Sequence, residues 1–204
     1  YRNYAVKKTW LILLLFAPFV LKGQQHGIYS QYIFNLFTVN PAYAGELDAL
    51  ATSVSYRAQW VGFEGAPTTQ NFSAHTPLPN KNMALGVQIQ NDVIGARSTP
   101  SFALAYAYKL NLGNHRKISL GLQGGVVNYQ YRWDELEYHH DQDPVAYETS
   151  ANKWIPNFDF GAMYLDPQNY FGVSLKSINQ AKTIETGYSD ASLSTYLNII
   201  GGRT

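Results

Sequence analysis

Apolar and polar positions alternate with a period of two along residues 49–60. Leu50, Thr52, Val54, Tyr56, Ala58 and Trp60 fall on one side; Ala49, Ala51, Ser53, Ser55, Arg57 and Gln59 fall on the other. Successive side chains of an extended chain point to opposite faces, so this period predicts a long strand. The pattern recurs near 69–76, 83–90, 101–110, 117–131, 154–165 and 170–176, and again from Leu193 with Leu197 and Ile199. In each stretch one phase is rich in Phe, Tyr, Leu, Ile or Val, as in Phe102, Leu104, Tyr106, Tyr108 and Leu110. The other phase is mostly Ser, Ala, Gly, Gln or Lys. In the fifth stretch the apolar phase switches from Ile118, Leu120, Leu122 and Val126 to Tyr129 and Tyr131. The switch falls beside Gly124-Gly125 and predicts a bulge there.

The connections add a topology. Residues 77–82, 111–116 and 166–169 read as short turns, while 61–68, 91–100, 132–153 and 177–192 read as longer loops. Outer-membrane barrels have short periplasmic turns and longer outer loops. The expected fold is therefore all-β: an antiparallel transmembrane outer-membrane β-barrel of at least eight strands, the first rising from the periplasm. Hydrocarbon offers no hydrogen-bond partners, so a closed sheet suits the alternation, with the apolar phases facing lipid and the small and polar phases facing the lumen. A soluble β-sandwich would alternate as well. Ahead of the first strand, Ile28, Tyr29, Tyr32, Ile33, Leu36 and Phe37 repeat at helical spacing and predict a short helix within 24–39. It ends before Asn40-Pro41-Ala42-Tyr43-Ala44-Gly45, a turn in which Pro41 fixes φ and Gly45 permits a positive φ.

Composition sharpens this reading. The 204 residues include 16 Tyr, 10 Phe and 4 Trp, with only 14% charged residues against a usual quarter. Lys7-Lys8 followed by the apolar run Trp10–Leu21 reads as a secretory signal, too short for a membrane-spanning helix. The expected divisions are 1–23 as signal peptide, 24–48 as an N-terminal segment with the helix and the Asn-Pro turn, and 49–204 as the barrel. The chain opens on Tyr1 and stops at Thr204 inside an alternating run, so the barrel is expected to be incomplete at its C-terminus. Losing residues 1–23 takes away Arg2, Lys7, Lys8 and Lys22, which leaves 11 basic residues against 14 acidic ones, a net of −3. That balance argues against a nucleic-acid partner. With no cysteine, disulfides, zinc thiolate sites and cysteine nucleophiles are excluded.

Candidate chemistry is sparse. His139-His140-Asp141-Gln142-Asp143 is the one metal-like cluster, and its spacing matches neither zinc nor EF-hand patterns, so it reads as a solvated loop. Gly121–Gly125 lie inside a strand and not before a helix, so they are no phosphate loop. The chain is read as non-enzymatic, with no cofactor. Arg57, Gln59 and Trp60 stand at the outer end of the first strand. Trp60 suits either an interfacial aromatic girdle or a partner contact. Arg57 suits either a lumen position paired with a carboxylate such as Asp159 or a partner contact.

One ordered set of residues goes further. Gln31-Tyr32, Asn35, Asn40-Pro41-Ala42-Tyr43-Ala44-Gly45 and Arg57-x-Gln59-Trp60-x-Gly62-x-x-Gly65-Ala66-Pro67-x-Thr69 resemble the PorP/SprF family of type IX secretion system membrane proteins. Asp92-x-x-Gly95, Tyr106-Ala107-Tyr108, Asp143-Pro144 and Gly161 fit as well, so the resemblance spans roughly residues 24–204. It implies an outer-membrane barrel of the Bacteroidota tied to type IX secretion and gliding motility. Such a barrel would assist secretion, or hold large adhesin-like cargo at the surface through the cargo's C-terminal domain. The partners implied are outer-membrane lipid and either secretion components or that cargo. The family brings no catalytic residues. Its motif nominates Asn40, Pro41, Tyr43, Gly45, Arg57, Gln59, Trp60, Gly62, Gly65 and Pro67 as candidate partner-contact residues. A passive porin-like channel is the alternative.

Overall fold

Alternating segments become strands because each can turn one phase outward and one inward while its backbone pairs with both neighbours. The computed structural model describes residues 35–132, 151–186 and 189–203. A one-turn helix α1 (Leu36–Val39) and a 3-10 turn η1 (Pro41–Tyr43) precede the strands. The strands are β1 (Ala51–Ala58), β2 (Thr68–Pro77), β3 (Met83–Ile94), β4 (Arg97–Gly113), β5 (Arg116–Tyr131), β6 (Ala151–Leu165), β7 (Asn169–Lys176), β8 (Lys182–Thr186), β9 (Ser189–Ser192) and β10 (Tyr196–Arg203). Neighbours pair antiparallel in the order β1-β2-β3-β4-β5-β6-β7-β10, and β8-β9 forms a separate hairpin. The eight-stranded sheet curls into a half-barrel, the architecture expected of an all-β outer-membrane barrel.

Its two faces are reversed relative to a soluble protein. Phe102, Leu104, Tyr106, Tyr108, Leu110 and Leu112 of β4 point outward and are exposed, as are Leu85 and Ile89 of β3, Leu120 and Leu122 of β5, and Trp154 and Phe158 of β6. The ten residue steps from Phe102 to Leu112, at ~3.4 Å each and a tilt of about 40°, give a band about 26 Å tall, close to the apolar height of outer-membrane barrels. In water so large an apolar surface would drive association; against lipid it is matched. The inward phase is small or polar: Ser73, His75, Ala84, Gln88, Ala105, Ala107, Lys109, Ser119, Gln123, Asp159 and Ser174 are all buried.

Several expectations are corrected. Residues 91–100 are not a loop: Asn91↔Pro100, Asp92↔Thr99, Val93↔Ser98 and Ile94↔Arg97 continue the β3-β4 ladder. Only Gly95-Ala96 turn the chain, with Gly95 at φ +55°. Strand ends outside hydrocarbon need no apolar phase, so they keep the ladder but lose the alternation. The sorting of loop lengths fails at this connection. No bulge forms at Gly124-Gly125, since Leu104↔Gly124, Ala103↔Gly125, Gly124↔Phe158 and Gly125↔Asn157 keep one register with the strands on either side. The β4-β5 pairing shifts at Asn111/Gly113 instead. Tyr129 simply keeps the inward phase, which turns apolar there because Tyr129 packs with Ile155 and Leu193. The first strand is shorter than 49–60, because Trp60 takes φ 50° and bends the chain away. Leu193 lies before the last strand, not in it, and the loop expected at 177–192 carries the β8-β9 hairpin. Of the expected 24–39 helix, the described residues hold only the last turn. The His139–Asp143 cluster and Asp143-Pro144 lie outside the described residues.

Candidate functional site

The nominated residues separate into two groups, one inside the half-barrel and one at its rim. The inner group is built on α1 and η1. Asn40 ends α1 and caps η1, its Oδ1 accepting from Ala42 N at 2.9 Å. Pro41 follows at the first position of the turn, where a missing N–H costs nothing. Asn40 Nδ2 donates to Ala162 O (3.2 Å) and Val173 O (3.0 Å), tying the segment to β6 and β7. Asn40, Pro41, Ala42 and Ala44 are fully or almost fully buried.

The sheet meets this segment mainly at its backbone. Ser119 Oγ donates to Ala42 O at 2.6 Å and Ser174 Oγ to Val39 O at 2.8 Å. Lys176 Nζ donates to Thr38 O at 3.3 Å, and Lys109 Nζ donates to Gly45 O. His75 Nδ1 accepts from Gly45 N at 3.0 Å, which requires that nitrogen to be unprotonated. The His75 ring lies 5.0 Å from that of Phe37 and 5.9 Å, edge-on, from that of Tyr43. Close approach is allowed by glycines on the inward phase. A Cβ on Gly86 would sit 2.5 Å from Phe37 Cζ, and one on Gly121 would sit 2.6 Å from Ala42 Cα. A Cβ on Gly161 would overlap the Asn40 side chain, and one on Gly172 would lie 3.0 Å from Asn40 Nδ2.

Charge is handled at both ends of the inner segment. Glu46 pairs with Lys117 and lies 3.8 Å from Lys109. Burial raises the Tyr43 phenol above its ordinary range, and the charge of Glu46 and the Tyr170 phenol add to the effect. Asp159 pairs with Lys176 at 3.0 Å and accepts from Ser177 N at 2.9 Å and Asn157 Nδ2 at 3.0 Å. The expected Arg57–Asp159 pair is thereby corrected: β2, β3, β4 and β5 separate Arg57 on β1 from Asp159 on β6. Arg57 instead donates to its neighbour Gln59, through Nε (3.2 Å) and Nη2 (3.0 Å), once the Gln59 amide is turned to present its oxygen.

The rim group forms the loop between β1 and β2. Gln59 N donates to Pro67 O at 2.9 Å, extending the ladder by one rung. Trp60, Gly62 and Gly65 all have positive φ, at 50°, 102° and 71°. Glycine suits two of those positions. Trp60 is 72% exposed, Val61 85% and Phe63 76%. The loop leans on the β3-β4 turn, where Gly95 N donates to Gly65 O at 2.9 Å. A Cβ on Gly65 would come within 3.2 Å of Gly95 Cα. One turn further in, Thr69 Oγ1 donates to Asp92 Oδ1 at 2.5 Å. Two separate motif fragments, Gly65-x-x-x-Thr69 and Asp92-x-x-Gly95, thus meet residue for residue. Gly161 and Asn40 meet in the same way inside.

Sequence reasoning did not single out His75, Lys109, Ser119, Ser174 and Lys176, nor Gly86, Gly121 and Gly172 as a set. The available signal was glycine and serine recurring on the inward phase of successive strands, where a filled lumen would need room. No curated protein matches the chain in sequence. The family model described as "Type IX secretion system membrane protein PorP/SprF" matches residues 21–204. With motif fragments that contact one another in space and a match over nearly its whole length, the chain belongs to the PorP/SprF family of type IX secretion system membrane proteins.

Proposed function

We propose that the protein is an outer-membrane component of the type IX secretion system that assists secretion of large adhesin-like cargo or holds it at the cell surface. The observation that carries this reading is the occupied inner face. Residues 36–45 are seated against β2 to β7 by hydrogen bonds and close packing, which favours a filled scaffold over a solute path. In this reading the rim residues Arg57, Gln59, Trp60, Gly62, Gly65 and Pro67 meet the partner, with the apolar tip Trp60-Val61-Gly62-Phe63 as the contact. Asn40, Pro41, Tyr43 and Gly45 act from inside by fixing the strands that carry the rim. The longer connection at 59–67 faces outward with the β3-β4 turn it leans on, and the short turns after β2, β4 and β6 face the periplasm.

The test is capture of the tagged full-length protein from native outer membranes, with mass spectrometry of what accompanies it. A large surface protein with a type IX C-terminal domain supports the anchor, and periplasmic secretion components support the machine role. Recovery of neither, together with a steady open conductance in planar bilayers, overturns the proposal in favour of a channel.

A further inference from the structure

We propose that the inner face of the sheet is a peptide-recognition site, filled in cis by the chain's own Phe37–Gly45 and able to accept the same segment in trans. The inference goes beyond the secretion reading and holds for an anchor or a channel alike. Its basis is the kind of contact made. Ordinary core packing joins side chain to side chain. Here Lys109, Ser119, Ser174 and Lys176 all donate to main-chain carbonyls of the segment, and His75 accepts from a main-chain N–H. Main-chain bonds of this kind give a peptide affinity, and a few pockets give it selectivity, here for a segment wound into α1 and η1.

The pockets are identifiable. Asn40 reaches Ala162 O and Val173 O over the floor left by Gly161 and Gly172. Pro41 and Ala42 lie over Gly121, and Phe37 lies over Gly86. The ligand class is therefore a segment of the form Phe-x-x-Asn-Pro-Ala-x-Ala-Gly. The tether is short and open: Leu47 and Leu50 are exposed, so the segment joins β1 through residues that make little of the core.

The experiment uses the full chain, folded in detergent micelles, with a protease site placed in residues 47–50. After cleavage, a labelled peptide covering residues 35–46 is titrated in. The expected result is saturable exchange of the cut segment for the labelled one. A peptide carrying Asn40→Ala should bind roughly tenfold or more weakly, because its two hydrogen bonds to Ala162 O and Val173 O are lost. Two results overturn the proposal. Either the cut segment stays and excess peptide never replaces it, or it leaves and the labelled peptide fails to bind while the strands persist by heat-modifiable migration. Should cleavage dissolve the sheet, the uncut Asn40→Ala chain replaces it. The wild-type peptide should then bind that chain saturably and the Asn40→Ala peptide roughly tenfold or more weakly, and absence of wild-type binding rejects the site.

Discussion

Gly121 and Gly124 stand three residues apart on β5 and face opposite ways, so alanine should be costly at the first and nearly neutral at the second. A Cβ on Gly121 would lie 2.6 Å from Ala42 Cα and nearer still to Ala42 N and the Pro41 carbonyl carbon, all of them backbone. Carbon atoms settle near 3.5–4.0 Å, so η1 must retreat by about 1 Å. Overpacking of that size costs about 1–3 kcal/mol. The retreat also stretches the 2.6 Å bond from Ser119 Oγ to Ala42 O, worth about 1 kcal/mol. Gly121→Ala should therefore destabilise the seated segment by about 2–4 kcal/mol. At Gly124 the nearest atoms are those of the Phe158 ring at 3.4 Å, an ordinary contact, and alanine relieves the entropy that glycine loses in a strand. Gly124→Ala should lie within about 0.5 kcal/mol of wild type. Urea unfolding in lipid vesicles, read by heat-modifiable migration, gives the stability. Chymotryptic cleavage at Phe37, fully buried while the segment is seated, reports whether the segment has lifted. A wild-type midpoint and protection in Gly121→Ala, or an equal loss in both variants, would refute the reasoning.

Three further outcomes are expected. Lys176→Met leaves the Asp159 carboxylate buried without its cation and should cost about 3–5 kcal/mol by the same unfolding assay, most of it recovered in Lys176→Met/Asp159→Asn. On the outward face, Tyr106→Arg, near the middle of the band, should cost about 2–4 kcal/mol, whereas Leu112→Arg, at its end, should cost about 0–1; equal losses would displace the membrane band. At the β6-β7 turn, backbone N–H groups of Gln168 and Asn169 donate to Asp166 Oδ1 at 2.8 and 2.7 Å and hold its carboxyl below the ordinary 3.8. A depressed folded value means the turn gains its full support above that pH and loses it as pH falls through the folded value. The protection of the Asn169 amide, taken relative to intrinsic exchange, should fall as pH drops below the ordinary carboxylate value, while Asp166→Asn should show no such step.

The strands were legible because lipid on one side and a filled interior on the other impose a two-residue period that no helix shares. Phe102 to Leu110 carried their orientation openly. What failed did so where that pressure stops. Asn91, Asp92 and Pro100 have loop-like identities, yet they pair, because a ladder beyond the hydrocarbon is held by its backbone bonds and by polar side chains such as Thr69 on Asp92 and Ser98 on Asn91, with no apolar phase. Tyr129 read as a phase change, although its register never moved; its surroundings became apolar through Leu193, whose approach no local pattern announces. The Asn40–Gly45 motif was visible as a turn but not as a buried one. Its partners are carbonyls, serines and missing β-carbons scattered over strands that lie far apart in sequence, and such recognition leaves no periodicity.

The reach of those contacts sets the order in which the molecule can be assembled. Ser119 meets Ala42 across 77 residues, Asn40 meets Val173 across 133, and Lys176 meets Thr38 across 138. Each of the last two must wait until β7 exists, whereas β2-β3 and β3-β4 close locally around short turns. Asn40–Gly45 therefore leaves the ribosome early and finds its place late. Throughout that interval its carbonyls and the serines and lysines awaiting them stay unmatched, so the seating of this short stretch reports that the sheet has been completed as far as β7.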